Sequence, residues 1–385
     1  VKNKPELVKF LLENGADPDL KGPELPIQGA LKYPTCLELL LKAGADLKKK
    51  KGIVEVAVSQ NQIESVKLLL DAGAGINEKY SDLFTPLTTA IREKRVEILA
   101  LLIKRGVDLH LKGQDYPLFM ATKTPSILRQ LLDAGADPAK AVGVMEMAVH
   151  YNQIESVRIL LDAGVSPNDK RDKIFTPLTT AIREKRSEIL ALLLKRGADP
   201  NLKGQDIPLV MAVKDTEILK QLIEGGADVK GCKGIVEAAV AKKSTPAIDV
   251  LLDAGAGISE KRMDVYTALA TAVRENSIPI ISHLLKRGAD PNVASSTGLP
   301  VVMAAGMPDQ TRLKMLLEAG ADVNVQFQGK SALMEACEKG MRDNVRLLIE
   351  RGADVNLVNF AGKSAMDIAA GKGHDDIVMT LLEAM

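Results

Sequence analysis

Residues 84–108 read FTPLTTAIREKRVEILALLIKRGVD, and the fold follows from this stretch. Thr85-Pro86-Leu87 is a helix opening. A threonine hydroxyl can accept an unpaired N–H of the first turn, and proline at the first helical position lacks an N–H that would have no partner there. Apolar residues at helical spacing continue through Ala90 and Ile91. A second helix is expected from Val96 to Lys104, with Ile98, Leu101 and Leu102 on one face. It stops at Gly106, which can take the left-handed conformation that ends a helix. Lys104 and Arg105 place positive charge at the negative end of that helix. Such a pair cannot bury its apolar stripes alone, so its stability has to come from stacking on copies of itself.

Copies run the length of the chain. Variants of Leu-Leu-x-x-Gly-Ala-Asp carry their glycine at Gly15, Gly44, Gly73, Gly106, Gly135, Gly164, Gly197, Gly226, Gly255, Gly288, Gly320 and Gly352. The spacing is 29, 29 and 33 residues, three times over, then 32 and 32, so a second period of 91 residues overlies the first. Residues 84–95 return unchanged as 175–186, and NQIESV at 61–66 returns at 152–157. LKGQD at 111 recurs at 202, and KGIVE at 51 recurs at 233.

Thr-Pro-Leu, a later alanine, then Leu-Leu-x-x-Gly-Ala-Asp-x-Asn resembles the ankyrin repeat. GKSALMEACEKG at 329–340 and GKSAMDIAAGKGH at 362–374 are nearest the family pattern. The resemblance covers essentially the whole chain, about thirteen units. It implies an all-α ankyrin-repeat solenoid of stacked helix–turn–helix units. A single solenoid over 1–385 is expected: a partial repeat at 1–20, triplet blocks at 21–110, 111–201 and 202–292, and C-terminal repeats at 293–385. The first unit keeps only its second helix, and Met385 stands where a turn glycine is due. Because the chain begins mid-unit, it is expected to be a fragment of a larger multidomain protein.

Two of every three units depart from the pattern. In one type the family's opening becomes LPIQ at Leu25, YPLF at Tyr116 or IPLV at Ile207. In the other, around Gly52, Gly143 and Gly234, it is lost and the connection is shorter. Reduced β-hairpin fingers are expected in those units. Prominent fingers are expected near 80–84, 171–175 and 262–266.

Composition narrows the function. Fifty-one basic residues against 50 acidic ones leave no strong field for nucleic acid or membranes. No apolar run approaches a membrane span, and the first residues lack a signal-peptide profile. Five Tyr, six Phe and no Trp suit thin layers filled by Leu, Ala, Val and Ile. Cys36, Cys232 and Cys337 are odd in number and far apart, which argues for a reducing compartment and an intracellular, cytoplasmic location.

No catalytic set is apparent. His110, His150, His283 and His374 fall in different units, away from metal-ligand spacing. No phosphate-binding loop with its lysine is present. The aspartates that follow the turn glycines are expected to hydrogen-bond within their turns. No enzyme activity, cofactor or metal is therefore expected.

Binding is the reading the residues favour. In solenoids the concave surface spans many layers, and the resemblance places partner contacts on the fingers and at the ends of the first helices. In register, that stripe includes Tyr33, Arg92, Glu93, Lys123, His150, Tyr151, Arg183, Glu184, Lys214, Arg274 and Glu275, with Phe84, Phe175 and Tyr266 just before the long units' helices. Lys and Arg outnumber Asp and Glu along it. The expected partner is a protein or extended peptide, partly acidic, and a solenoid this long can stand as a monomer. Two alternatives stay open: a small-molecule or enzymatic pocket at an irregular unit such as 298–311, and nucleic-acid binding through Lys48–Lys51. A solvated or structural role for the lysine run, and pairing of Arg92, Arg183 and Arg274 with glutamates across adjacent layers, are the plainer readings.

Overall fold

The computed structural model describes residues 3–80, 83–111, 116–169, 175–202, 207–263 and 265–385. These contain twenty-five α-helices, two short 3-10 turns and one two-stranded sheet. The fold is the all-α ankyrin-repeat solenoid. Its contacts divide it into two compact units, Val1–Ala198 and Asp199–Met385.

The quoted stretch folds as two helices, Pro86–Arg92 and Val96–Lys104. Thr85 caps the first: its hydroxyl accepts from Thr88 N at 3.1 Å, and the Thr88 hydroxyl accepts from Thr85 N at 2.8 Å. That reciprocal box satisfies two orphan donors at the helix start. All residues from Pro86 to Ile91 are buried, because neighbouring first helices cover this one on two sides. In the second helix the buried residues are Ile98, Leu99 and Leu102, while Leu101 is only half-buried. The inward strip is turned one residue from the expected one, since this helix also faces the second helices of adjacent layers. It ends where Val107 N donates to Leu102 O at 3.1 Å and Gly106 N to Ile103 O at 3.0 Å, with Gly106 at φ 76°. This pair of bonds closes the helix and needs a left-handed residue.

Within the first unit, first helices stack on first helices. Ile53–Ser59 packs on Pro86–Arg92, which packs on Pro117–Ala121, and second helices such as Ile63–Asp71 and Val96–Lys104 do likewise. Within the second unit the same column runs through Ile235–Ala241, Ala268–Arg274, Pro300–Ala305, Ala332–Glu338 and Ala365–Lys372. Ala90, Ala121, Ala148 and Ala181 are fully buried, so the helices approach closely. The largest fully buried side chains are Leu and Ile, and no aromatic residue is needed at the centre.

The 91-residue period appears as three kinds of first helix. It has seven residues in Pro86–Arg92, five in Pro117–Ala121 and seven again in Val144–His150. Val144–His150 is preceded by a 3-10 turn, Pro138–Lys140, and by left-handed Gly143 where a capping threonine is absent. Ile53–Ser59 has the same entry through Leu47–Lys49 and Gly52. A Cβ at Gly52 would run into the backbone of Tyr80, and one at Gly234 into that of Arg262. The long units' connections thus lie directly on the short units' glycines.

Of the three expected fingers, the tip residues 81–82 and 171–174 lie outside the described residues. At the third, Arg262 and Tyr266 form an isolated antiparallel bridge, with Arg262 N donating to Tyr266 O at 2.8 Å. Among the described residues the one regular hairpin belongs to a 32-residue unit instead. There β1, Gln326–Phe327, pairs with β2, Lys330–Ser331, around Gln328 (φ 51°) and Gly329 (φ 78°). A two-residue turn with both φ values positive matches the twist of a strand pair.

The turns between layers are tied by asparagine. Asn292 accepts from Asp322 N at 2.8 Å and donates to Gly320 O at 3.1 Å. Asn324 repeats this with Asp354 N and Gly352 O. The turn aspartates accept within their own turns, as Asp108 does from His110 N and Asp290 from Asn292 N. The Gly-Ala-Asp-x-Asn turns at Gly197, Gly288 and Gly320 therefore close on themselves and hold the next turn as well.

Candidate functional site

The ends of the first helices carry the stripe, and capping sets its geometry. Helix Pro86–Arg92 stops with Arg92 in its last turn and Glu93 as C-cap. Phe84 immediately precedes the N-cap of the same short helix. The Arg92 guanidinium accordingly lies over the Phe84 ring, 3.8 Å from its centroid. Arg183 stacks on Phe175 at 4.3 Å and Arg274 on Tyr266 at 4.8 Å. The rings are half-buried and the arginines exposed. A seven-residue helix brings its two ends within reach of one arginine side chain, which is why residues eight apart in sequence meet.

The glutamates of the stripe behave differently from the expected cross-layer pairing. Arg92 Nε donates to Glu93 Oε1 at 3.2 Å, and Arg274 lies 3.9 Å from Glu275, each within its own layer. Glu184 instead faces His150 of the preceding layer at 3.0 Å and lies 3.6 Å from Arg186. His150 also meets the edge of Tyr151 at 5.2 Å. Lys123 stands 4.0 Å over the Tyr151 ring, joining two layers. Tyr33 is the half-buried N-cap of Pro34–Lys42, and Lys214 is exposed just beyond Pro208–Ala212.

Where the stripe crosses layers in the first unit it opens into a cavity of about 290 Å³. Phe119, Met120 and Met147 line it together with Tyr151, and Arg92, Lys94 and Lys123 contribute the charge. The irregular 298–311 region borders a smaller opening of about 240 Å³, against Phe327 and Lys330. Both are below the roughly 300–1,000 Å³ of ordinary small-molecule sites. The lysine run is partly engaged by the fold: Lys49 pairs with Asp19 at 3.0 Å, and Lys50 lies 5.0 Å over Tyr80. The bonds from Lys49 and Asp46 N hold the Asp19 carboxyl below its ordinary range, although burial pushes it the other way most strongly. Among the described residues no group of three or more His, Cys, Asp or Glu is placed to hold a metal ion. No helix among them is long and apolar enough to cross a membrane.

Sequence reasoning passed over a buried acid in every triplet. Glu55, Glu146 and Glu237 are 6%, 5% and 4% exposed, although each stands in a first helix of apolar residues. Glu55 accepts from the Thr89 hydroxyl at 2.7 Å and Glu237 from Thr271 at 3.1 Å, in each case one layer further on. Arg262 also reaches Glu237 at 3.4 Å. The signal was present: GIVEVAV, GVMEMAV and GIVEAAV each hold one glutamate in an apolar run, 91 residues apart. A second oversight lies on the opposite helices, where Arg105, Arg196 and Arg287 bind Asp71, Asp162 and Asp253 of the preceding layer at 2.5–2.8 Å.

Comparison with known proteins agrees with this architecture. The family model for ankyrin repeats (3 copies) matches residues 1–80, 27–113, 54–142, 118–204 and 301–385, and the single ankyrin repeat model matches 265–296. Ankyrin repeat and KH domain-containing protein mask-1 of Caenorhabditis elegans is 27% identical over 252 residues, 52% of this chain and 10% of that protein. Human transient receptor potential cation channel subfamily A member 1 is 35% identical over 81 residues, 21% of this chain and 7% of that protein. The Arabidopsis thaliana E3 ubiquitin-protein ligase KEG is 32% identical over 85 residues, 21% of this chain and 5% of that protein. The chain thus matches a tenth or less of the length of these relatives. Ankyrin repeats are generally protein–protein interaction modules and generally non-catalytic. With its helix pairs, Asn-tied turns and family matches over most of its length, this chain belongs to the ankyrin-repeat family.

Proposed function

We propose that the chain is a non-catalytic scaffold that binds a protein or extended, partly acidic peptide at the first-helix ends within each unit. The supporting observation is the pairing of Arg92 with Phe84, Arg183 with Phe175 and Arg274 with Tyr266. Each ring lies under a guanidinium and restrains the arginine side chain, while the N–H groups that Glu93 and Glu275 do not use keep their capacity for carboxylates. Fixing a long side chain before binding lowers the entropy lost on complex formation. Arginine and aromatic residues are also the types that most often anchor interfaces.

The test is selection of displayed random peptides on the intact chain, followed by affinity measurement with R92E, R183E and R274E combined. Selected peptides should be enriched in Asp and Glu, and the triple variant should bind them at least tenfold more weakly with an unchanged circular dichroism spectrum. Undiminished affinity in the folded triple variant would remove this face as the binding site.

A further inference from the structure

We infer that the cavity between Arg92 and Tyr151 is the anchor point of the proposed face, and that it takes one aliphatic side chain of a partner peptide flanked by carboxylates. The inference rests on the binding reading above and narrows it to one place and one chemistry. The cavity draws on three successive layers of the first unit: Arg92 and Lys94 from one, Phe119 and Lys123 from the next, Met147 and Tyr151 from the third.

Its walls have two characters. Phe119, Met120, Met147 and Ile91 supply an apolar floor, with Ile91 fully covered and the methionines half-buried. Thioethers on unbranched chains adapt to an incoming side chain. Three cations and no Asp or Glu complete the lining. Arg92 is engaged by Glu93 and Phe84. Lys94 and Lys123 make no ion pair among the described residues, Lys123 being held only over Tyr151. The opening therefore offers apolar surface flanked by two lysines without a carboxylate partner among the described residues. At about 290 Å³ it suits a single side chain with its backbone rather than a larger ligand.

This combination is not a by-product of duplication. Ninety-one residues further on, Val210, Ala238 and Lys242 replace Phe119, Met147 and Tyr151; ninety-one residues earlier, Gln28, Val56 and Gln60 do. The lysines at 32, 123 and 214 persist, and Ile182 and Met211 repeat Ile91 and Met120, but the bulk of Phe119, Met147 and Tyr151 is lost in both sister sets. Phe119, Met147 and Tyr151 thus give this layer set large apolar and aromatic side chains that its sister sets lack.

The experiment uses the intact chain with methyl-labelled methionine, because Met120 and Met147 report on the floor. The probe is the capped pentapeptide DDLDD. The Met120 and Met147 signals should shift and saturate while methionines far from the cavity stay fixed. DDGDD and KKLKK should produce less than a tenth of the shift at equal concentration. K94E combined with K123E should weaken the effect at least tenfold, with the remaining methyl spectrum confirming the fold. Equal shifts with KKLKK, or shifts with an oligothymidylate but not with DDLDD, would overturn the assignment. If the displayed peptides above still bind and depend on Arg92, Arg183 and Arg274 while Met120 and Met147 stay still, the face binds partners but this cavity is not its anchor. If neither responds, the binding reading itself fails.

Discussion

Thr89 donates its hydroxyl to Glu55 at 2.7 Å across the boundary between two layers, and both residues are buried. The bond joins the middle of Ile53–Ser59 to the middle of Pro86–Arg92. Replacing Thr89→Val leaves a buried carboxyl oxygen without its donor, which costs about 1–3 kcal/mol. Glu55→Gln keeps an acceptor at the same place and should cost less. Urea unfolding of the two variants, followed by hydrogen exchange of the 53–59 amides, checks the order. A milder effect from Thr89→Val than from Glu55→Gln would show that the bond is not what ties these layers.

Lys185 and Lys243 occupy the turn between helices at φ 55°. The last two units place Gly340 and Gly373 at the matching turn, at φ 71° and 77°. A side chain in this region costs about 1–2 kcal/mol, and glycine gives back part of the gain by loosening the unfolded chain. Lys185→Gly should therefore raise stability by about 0.5–1 kcal/mol, read as a higher urea midpoint with an unchanged slope.

Lys330 lies between Glu335 at 2.8 Å and Glu338 at 2.6 Å. Its hydrogen bond holds the Glu338 carboxyl below the ordinary range against the opposing effect of burial, and the charges of Lys330 and Lys372 add to it. Burial alone would lower the Lys330 ammonium, but the two carboxylates outweigh it and raise it. A lowered folded carboxyl stabilises in full above the unfolded value of about 4.3, and the contribution fades as pH falls through the folded value. Lys330→Met should thus lose stability at pH 7 and approach wild type as pH falls through the folded Glu338 value. Titration of Glu338 by carbon NMR should show its midpoint rising in the variant.

Cys337 is fully buried, and burial pushes its thiol up to about 12. An unfolded thiol ionises near 8.5, so the folded chain keeps a proton that the unfolded chain releases. Stability should decline as pH rises from about 8.5 toward the folded value. At pH 8 native Cys337 should resist iodoacetamide, as read by mass spectrometry of intact and urea-treated chain. The half-buried Cys232 should label first.

The helix pair was legible because its signals are local. Thr85 and Pro86 mark a start, Gly106 marks a stop, and the spacing of Ile98 and Leu102 sets a face. Much of what escaped depends on contacts between layers, as far as 34 residues apart. Glu55 stands among valines with nothing beside it in sequence to announce Thr89. Arg92 and Phe84 were both visible as site candidates, yet their stacking follows from helix length, a property of neither residue. The role of Asn292 was hidden in the same way: its hydrogen bonds reach Gly320 and Asp322, one layer on.

Gly52 and Gly234 lie against the backbone of Tyr80 and Arg262, where no side chain fits. A layer opened by such a glycine is therefore shaped for one kind of successor. Layers of this chain are not interchangeable parts. A side chain in place of Gly52 or Gly234 would press on the connection that follows, whereas moving 91 residues together preserves every junction. Insertion, deletion and exchange in such an array should be tolerated in whole triplets, which sets the step size by which the array can lengthen or shorten.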